Sequence, residues 1–311
     1  MKVGIIGSGA VGATIAYSIA SDGLATKIFI ADKVVSKAEG EALDLAHCAY
    51  FIPPVKLESG DVSDCRDMDA VIITAGVKRR PGEQRTDLIN RNIEVCKQIT
   101  EPLAEGNPNA IFILVSNPVD LLTLYWLKHS GVPANRIVGS GTLLDTSRFR
   151  YLLSRYAHVD PRSIHAYIIG EHGAGSVPVW SNALVGTVRL GDYARQVGLQ
   201  YTKEQRKQIF GEVLAAGKNV IERKGATYYG IAQSTLRILK AISRDEGTIL
   251  TLSTDVTRHH GLEDVAMSLP VVLGRKGISQ IISPSLDEEE TAALKAAGDN
   301  LKRIAQESGI L

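Results

Sequence analysis

Four side chains spread along the chain have the types that a proton-coupled reduction of a carbonyl needs: His172, Asp145, Arg148 and Arg85. A histidine changes charge near neutral pH, so His172 can give and take a proton. A carboxylate beside it orients the ring and stabilises its charged form, the part read for Asp145. A guanidinium fork grips a carboxylate through two parallel hydrogen bonds, which suits Arg148. A second guanidinium polarises a carbonyl as negative charge develops on its oxygen, which suits Arg85. Together the four fit hydride transfer to a 2-keto acid. His172 sits in Gly170-Glu-His-Gly173, directly after the apolar run Ala166 to Ile169, which reads as a strand. The flanking glycines allow unusual backbone angles and close approach of a ligand. Leu143 to His158 reads as a helix, which puts Asp145 and Arg148 on one face at i, i+3.

The hydride has to come from a second molecule, and the N-terminal stretch offers a place for one. The apolar run Met1 to Ile6 leads into Gly7-Ser-Gly-Ala-Val-Gly12 and then into the helical composition of Ala13 to Ala20. This is the strand, glycine turn and helix that a dinucleotide fingerprint requires. Gly7 permits the tight turn, Gly9 lets a pyrophosphate reach amides at the helix N-terminus, and Gly12 lets helix and strand pack closely. Ala10 and Val11 complete the expected contacts of that turn. A second strand, Lys27 to Ala31, ends at Asp32, near the customary interval of about 20 residues past the last glycine. A carboxylate there accepts hydrogen bonds from an adenosine ribose and repels a 2′-phosphate, so NAD is expected rather than NADP.

Further strands are predicted at Ala70 to Thr74, Ala110 to Val115 and Ile137 to Val138, with helices over Lys37 to His47, Arg85 to Ala104 and Val119 to His129. Such alternation predicts an α/β, doubly wound parallel sheet of Rossmann type, with ligands at the carboxyl ends of its strands. Two loops fall there. One runs from Ala75 and Gly76 to Arg85, directly after Thr74 at the strand end, and these three residues are expected at the cofactor; the other is Val115 to Asp120, in which Asn117 can meet a cofactor amide or ribose or a substrate oxygen. After about residue 142 the pattern changes to an α+β substrate domain. Strands are expected at Leu184 to Leu190, Ile249 to Thr254 and Met267 to Leu273, and helices at Thr202 to Lys224, Thr227 to Asp245 and Asp287 to Glu307. The expected division is residues 1–142 for NAD binding and 143–311 for catalysis.

Bulk properties narrow the class. The 311 residues carry a formal net charge of +1, so nothing favours nucleic acid or an anionic membrane. No apolar run approaches membrane-spanning length. Cys48, Cys65 and Cys96 are scattered, lack metal-ligand spacing and read as reduced thiols, so no metal is expected and a cytoplasmic location is.

Over essentially its whole length the sequence resembles the NAD-dependent L-lactate/malate dehydrogenases. The matching pieces are Gly7 to Gly12, Asp32, Pro81-Gly-Glu-Gln-Arg85, Ser116-Asn-Pro-Val-Asp120, Leu144-Asp-Thr-Ser-Arg148, Gly170-Glu-His-Gly173 and Lys224-Gly-Ala-Thr-Tyr-Tyr229. The resemblance implies His172 as acid/base, Asp145 as its partner and Arg148 as carboxylate clamp. It implies Arg85 on a loop that closes over the substrate, and Asn117 and Thr227 lining the substrate and nicotinamide pocket. A homotetramer, a dimer of dimers, is implied too, with Arg150 and His165 matching positions that hold fructose 1,6-bisphosphate between subunits in bacterial lactate dehydrogenases. Ala174-Gly175 departs from the family pattern, which has aspartate and then a small polar or acidic residue.

The substrate's variable end is read two ways. Glu171, Thr227 and Ser140-Gly-Thr-Leu-Leu-Asp145 look like the lactate branch. Arg79 stands at the loop position where malate dehydrogenases carry arginine and lactate dehydrogenases glutamine. A guanidinium there pairs with the second carboxylate of oxaloacetate, whereas the methyl of pyruvate leaves it without a partner. The charge is expected to outweigh the packing differences and to favour oxaloacetate and malate, with plain L-lactate dehydrogenase as the alternative. A bulky 2-keto acid and a non-catalytic NAD sensor are weaker readings. For the cofactor, the unmodified protein is predicted to use NADH in preference to NADPH, and Asp32→Ala to narrow that preference chiefly through KM. Steady-state kinetics with both cofactors checks it; equal use of both by the unmodified protein contradicts the part given to Asp32.

Overall fold

A computed structural model of the chain describes residues 1–77, 82 and 85–311, the side chains of Arg85 and Thr86 excepted. The first half alternates strand and helix: β1 (Lys2–Ile6), α1 (Ala10–Asp22), β2 (Lys27–Ala31), α2 (Val35–Ala46), β3 (Lys56–Gly60), β4 (Ala70–Ile73), α3 (Arg85–Gly106), β5 (Ile111–Leu114), α4 (Val119–His129) and β6 (Ile137–Gly139). These strands lie in the order β3-β2-β1-β4-β5-β6, all parallel. The chain winds outward from β1 to β3, then returns to β4 on the other side. The crevice at this reversal, between the carboxyl ends of β1 and β4, is where an open α/β sheet binds its ligand. The strands are near-continuous apolar runs because helices cover both faces, and Ile5, Ile28, Ile72 and Ile113 are fully buried.

The second half comprises α5 (Leu143–Ala157), β7 (Ile164–His165), β8 (Ile168–Gly170), β9 (Ser176–Pro178), β10 (Leu184–Val185), β11 (Val188–Arg189), α6 (Leu190–Gln196), α7 (Lys203–Lys224), α8 (Tyr229–Arg244), β12 (Thr248–Asp255), β13 (Ala266–Gly274), β14 (Gly277–Ile281) and α9 (Glu288–Glu307). The sheet does not stop at β6. Antiparallel pairing of β6 with β12 at Gly139 and Ser253 carries it on through β13, β8 and β9, so an 11-stranded sheet runs through both halves. Ser268 of β13 then pairs with Gly170, two residues before His172.

Several sequence expectations shift. The strand expected over Ala166 to Ile169 starts later, as β8 at Ile168, and pairs with β13 and β9; a separate short strand, β7, ends at His165 just before the expected stretch and pairs with β10 in another sheet. The strand expected over Leu184 to Leu190 is a hairpin folded at Gly186, whose φ of 59° suits glycine, and Leu190 opens α6. Thr227 lies before α8 rather than inside it. Strand β3 was not expected, because Lys56-Leu-Glu-Ser-Gly60 has little apolar character; among the described residues it is an edge strand paired with β2 alone, and it is tied down by Lys27–Glu58 and Lys56–Glu58 ion pairs. Burial pushes the thiols of Cys65 and Cys96 up to about 12, which leaves both unreactive.

The turn after β1 has a hard steric limit. A Cβ on Gly12 would lie 1.9 Å from the Gly7 carbonyl oxygen, and one on Gly7, whose φ is 103°, 2.7 Å from the Ala75 nitrogen. At Gly9 a Cβ would meet no heavy atom within 4 Å. We predict that Gly12→Ala lowers thermal stability and weakens NADH binding together, while Gly9→Ala weakens binding and leaves Tm near that of the parent. Calorimetric melting and fluorescence titration with NADH separate the two; equal Tm losses contradict the assignment of Gly9 to ligand approach.

Candidate active site

The site is assembled from the start of α5 and the end of β8. Asp145 lies in the first turn of α5, where the helix dipole favours a carboxylate. Arg148, one turn on, donates from Nη1 to Asp145 Oδ1 at 2.9 Å. His172 comes over from β8 and places Nδ1 2.5 Å from Asp145 Oδ2. Asp145 is thus shared between a guanidinium and an imidazole, with its own side chain only 7% exposed. The side chains of Arg148 and His172 are 21% and 27% exposed, open enough to meet a ligand.

Buried hydroxyls set the register of α5 against β8. Thr142 donates to the Ile168 carbonyl at 2.5 Å, and Thr146 accepts from the Ile168 N–H at 2.9 Å while lying 3.0 Å from Thr251. Ser268 accepts from the Thr142 N–H. Each of these groups is buried, so leaving one unpaired would cost about 1–3 kcal/mol; the ladder therefore locks Asp145 opposite His172. The loop beyond His172 closes on itself, with Glu171 N–H donating to Gly175 O and Ser176 N–H to Gly173 O. Ala174 is exposed there. A Cβ at Gly175 would lie 2.6 Å from Glu171 Oε2, so glycine is the residue that fits.

Charge and burial compete on this pair. Burial disfavours the Asp145 carboxylate, but the hydrogen bond and charge of His172, with Arg148, prevail and hold its pKa below the ordinary value. Burial likewise disfavours the imidazolium, and the hydrogen bond and charge of Asp145 prevail and raise the His172 pKa. A proton is therefore retained on His172 at higher pH than on a free histidine.

The cofactor-side residues gather where β1, β2, β4 and β5 end. The Asp32 carboxylate accepts from the Ser8 N–H at 2.8 Å and hydroxyl at 2.9 Å, and from the Val34 N–H at 3.1 Å. Partial burial opposes the charge, but these bonds hold its pKa low, so the group stays anionic. The Thr74 hydroxyl lies 2.8 Å from the Gly7 carbonyl. Ala75 and Gly76 follow, held by Ser116, which donates to Ala75 O at 2.5 Å, and by the buried Asn92, which accepts from the Val77 N–H at 2.8 Å. Gly9 stands at the N-terminus of α1, next to Ala10 and Val11, with room in front of it. Free helix amides, an open glycine and a carboxylate at the next strand end fit a dinucleotide. Asn117 is exposed in the loop after β5, and its peptide bond to Pro118 is cis.

Ser8, Asn92, Ser116 and Asp120 were not singled out from sequence. The Asp120 carboxylate accepts from the His172 main-chain N–H at 2.7 Å. The chain shows only an acid at a helix start among Val119, Leu121 and Leu122, and neither its burial nor its bond to His172 follows from those neighbours. Arg79 and the Arg85 side chain lie outside the described residues. Arg150 does not join the site. Two residues past Arg148, it faces another side of α5, donates to Ala166 O at 2.9 Å and stacks on the Tyr167 ring at 4.7 Å, beside the exposed His165.

A doubly wound sheet with a glycine turn at its reversal point, and a His–Asp–Arg cluster where the sheet continues past β6, define a dinucleotide-dependent dehydrogenase. Comparison with known proteins gives the family. The lactate/malate dehydrogenase NAD-binding domain matches residues 1–139, and the lactate/malate dehydrogenase alpha/beta C-terminal domain matches residues 142–308. The chain is 46% identical over 309 residues to an L-lactate dehydrogenase of Thermoanaerobacter pseudethanolicus, covering 99% of each chain. It is 44% identical to L-lactate dehydrogenase 2 of Bacillus anthracis, covering 94% of this chain and 93% of that one. Among solved structures, a lactate dehydrogenase from a Medee basin deep-sea metagenome library superposes with a TM-score of 0.95 at 38% identity, covering 99% of this chain and 98% of that one. The minor L-lactate dehydrogenase of Enterococcus mundtii gives 0.94 at 38%, covering 98% of both. The chain belongs to the lactate/malate dehydrogenase family, and it is an NAD-dependent 2-hydroxy acid dehydrogenase. No helix among the described residues is long and apolar enough to cross a membrane.

Asp145 generates a prediction with a definite sign. With His172 as the proton donor expected from the sequence, a raised pKa keeps it loaded until pH exceeds that value, so kcat/KM for keto-acid reduction should fall as pH rises through it. In Asp145→Asn the support is lost, and the fall should move to lower pH while kcat drops about 10²-fold or more. pH profiles of both proteins check this; an unmoved profile contradicts the role of the pair.

Proposed function

We propose that the chain interconverts an L-2-hydroxy acid and its 2-keto acid through His172, Asp145, Arg148 and Arg85. The observation that carries this is Asp145 bridging Arg148 and His172. With Nδ1 donating to Asp145, Nε2 of His172 carries the working proton: it donates to the keto oxygen in reduction and accepts the hydroxyl proton in oxidation. When bound, the cofactor would supply the hydride as NADH in reduction and accept it as NAD+ in oxidation. Arg148 grips the substrate carboxylate with the part of its fork that Asp145 does not use. Arg85 polarises the carbonyl, and Asn117 and Thr227 line the pocket. Gly7, Gly9, Ala10, Val11, Gly12, Asp32, Thr74, Ala75, Gly76 and Asn117 hold the dinucleotide. On this reading residues 1–142 bind NAD and 143–311 bind substrate, the two parts sharing the sheet through Gly139 and Ser253.

For the variable end of the substrate, the names of the relatives support pyruvate and L-lactate. This shifts the weight from the oxaloacetate expected on sequence. Arg79 keeps oxaloacetate and L-malate as a second reading, since it supplies a charge that lactate-type packing does not. The proposal extends to a cytoplasmic homotetramer, supported by the exposed Tyr17, Leu43, Tyr50 and Phe51 on and beside α1 and α2. It also extends to fructose 1,6-bisphosphate held by Arg150 and His165, supported by the groove that Arg150 lines with Arg162 and Tyr167.

The test is kcat/KM for pyruvate and oxaloacetate side by side, in the unmodified protein and Arg79→Gln, with and without the bisphosphate. NADH oxidation with pyruvate is expected. Arg79→Gln should lower kcat/KM for oxaloacetate relative to pyruvate by about one to two decades, the worth of a charge-assisted hydrogen bond of roughly 1.5–3 kcal/mol. The absence of NADH oxidation with any keto acid would overturn the enzymatic reading. An unchanged ratio would remove Arg79 from specificity.

A further inference from the structure

Asp120 is a carboxylate in a place that ordinarily rejects one. It occupies the first turn of α4, 3% exposed, between the fully buried residues Val119, Leu121 and Leu122. Oδ2 accepts the His172 main-chain N–H. Oδ1 is closed off from solvent and has no hydrogen-bond partner of good geometry among the described residues, and the same holds for the Ser253 hydroxyl on β12; that hydroxyl nevertheless lies close enough to favour the charged form of Asp120. A neutral amide would accept the His172 N–H equally well, without the desolvation of a charge. The carboxylate therefore calls for a role of its own, and the same His172 whose main chain it holds carries an imidazole on which Asp120 acts as a second anion after Asp145.

We propose that Asp120 is a positioning residue of the reaction, which fixes the His172 main chain through its N–H and lends the imidazolium a second negative charge. This rests on His172 being the proton carrier, as proposed above. The charged groups around Asp120 bear out the balance. Burial pushes its pKa up to about 6; Ser253 and His172 oppose that rise, and Glu171, at the end of β8, adds to it. Asp145 and Arg148 on α5 act from the other side of the imidazole. Near neutral pH the carboxylate is anionic and Ser253 can donate to Oδ1. Once protonated, Oδ1 can donate to Ser253 instead. In both states Oδ2 still accepts from His172, so only the charge is switched.

The experiment measures kcat and KM for keto-acid reduction across pH in the unmodified protein, Asp120→Asn, Ser253→Ala and His172→Asn. Asp120→Asn keeps an oxygen acceptor for the His172 N–H and removes only the charge. The alkaline fall of kcat/KM should then move down by about half to one pH unit, with KM for NADH unchanged. Ser253→Ala removes the hydroxyl that supports the charged form of Asp120, so it should move the same limb in the same direction by less. If Asp120→Asn does not fold, the Ser253→Ala limb decides. An alkaline limb that stays in place in a folded Asp120→Asn, or in Ser253→Ala where that alone folds, overturns the proposal, since a purely structural Asp120 would lower activity without moving the midpoint. His172→Asn separates this from the wider reading. Near-normal turnover in that variant overturns His172 as proton carrier, whereas its inactivity with an unmoved Asp120→Asn limb overturns the inference about Asp120 alone.

Discussion

The site depends on a single buried carboxylate satisfied from two sides. Asp145 has given up nearly all of its contact with water. A charge so placed is tolerable only while it is paired and hydrogen-bonded. Arg148 takes one oxygen from within the same helix, and His172 takes the other from the loop just past β8, 27 residues further along the chain. Because both oxygens are engaged, rotation of any one of the three side chains strands a charge. The cluster is therefore held in one arrangement, with the imidazole in one orientation, before any substrate arrives.

That arrangement requires α5 and β8 to keep a fixed register, and the fold supplies it with hydroxyls rather than with apolar contacts alone. Thr142 and Thr146 bond both the N–H and the carbonyl of Ile168, and Ser268 reaches the Thr142 amide. Apolar packing tolerates small slippage because it has no direction, whereas a buried hydrogen bond does not. The same logic operates at the dinucleotide end. Asp32 is oriented by Ser8, and the Ala75–Val77 turn is held by Ser116 and Asn92. Small polar residues between the motif positions thus determine where the motif residues point.

The continuous sheet links these two regions. β6 ends the parallel run, and β12 takes it up in the opposite sense beside Gly139, where a Cβ would lie 2.4 Å from the Thr123 hydroxyl and 2.7 Å from Ser253. Glycine at that point lets α4, β6 and β12 meet closely. β13 then delivers the sheet to β8 and its histidine. The reversal point between β1 and β4 and the His172 loop therefore belong to one continuous sheet, which is what the proposed reaction, with a hydride donor and a proton donor acting on the same carbonyl, requires.

The amino-acid sequence by itself determined the parallel half except its edge strand β3, because glycine spacing and fully apolar strands are local signals with local causes. Gly12 must be glycine, as a Cβ there would strike the Gly7 carbonyl, and the interval from Gly12 to Asp32 follows from one strand and one helix of ordinary length. It also determined that Asp145 and Arg148 share a face, since helical periodicity is local too. The sequence did not disclose the polar edge strand β3, the separation of β7 and β8 into two sheets, or the carboxylate of Asp120 beneath the His172 main chain. Each of these depends on pairing between segments far apart in the chain. Only the tertiary structure decided them, because whether a polar group is buried, and against what, is settled by long-range strand partners rather than by its neighbours in sequence.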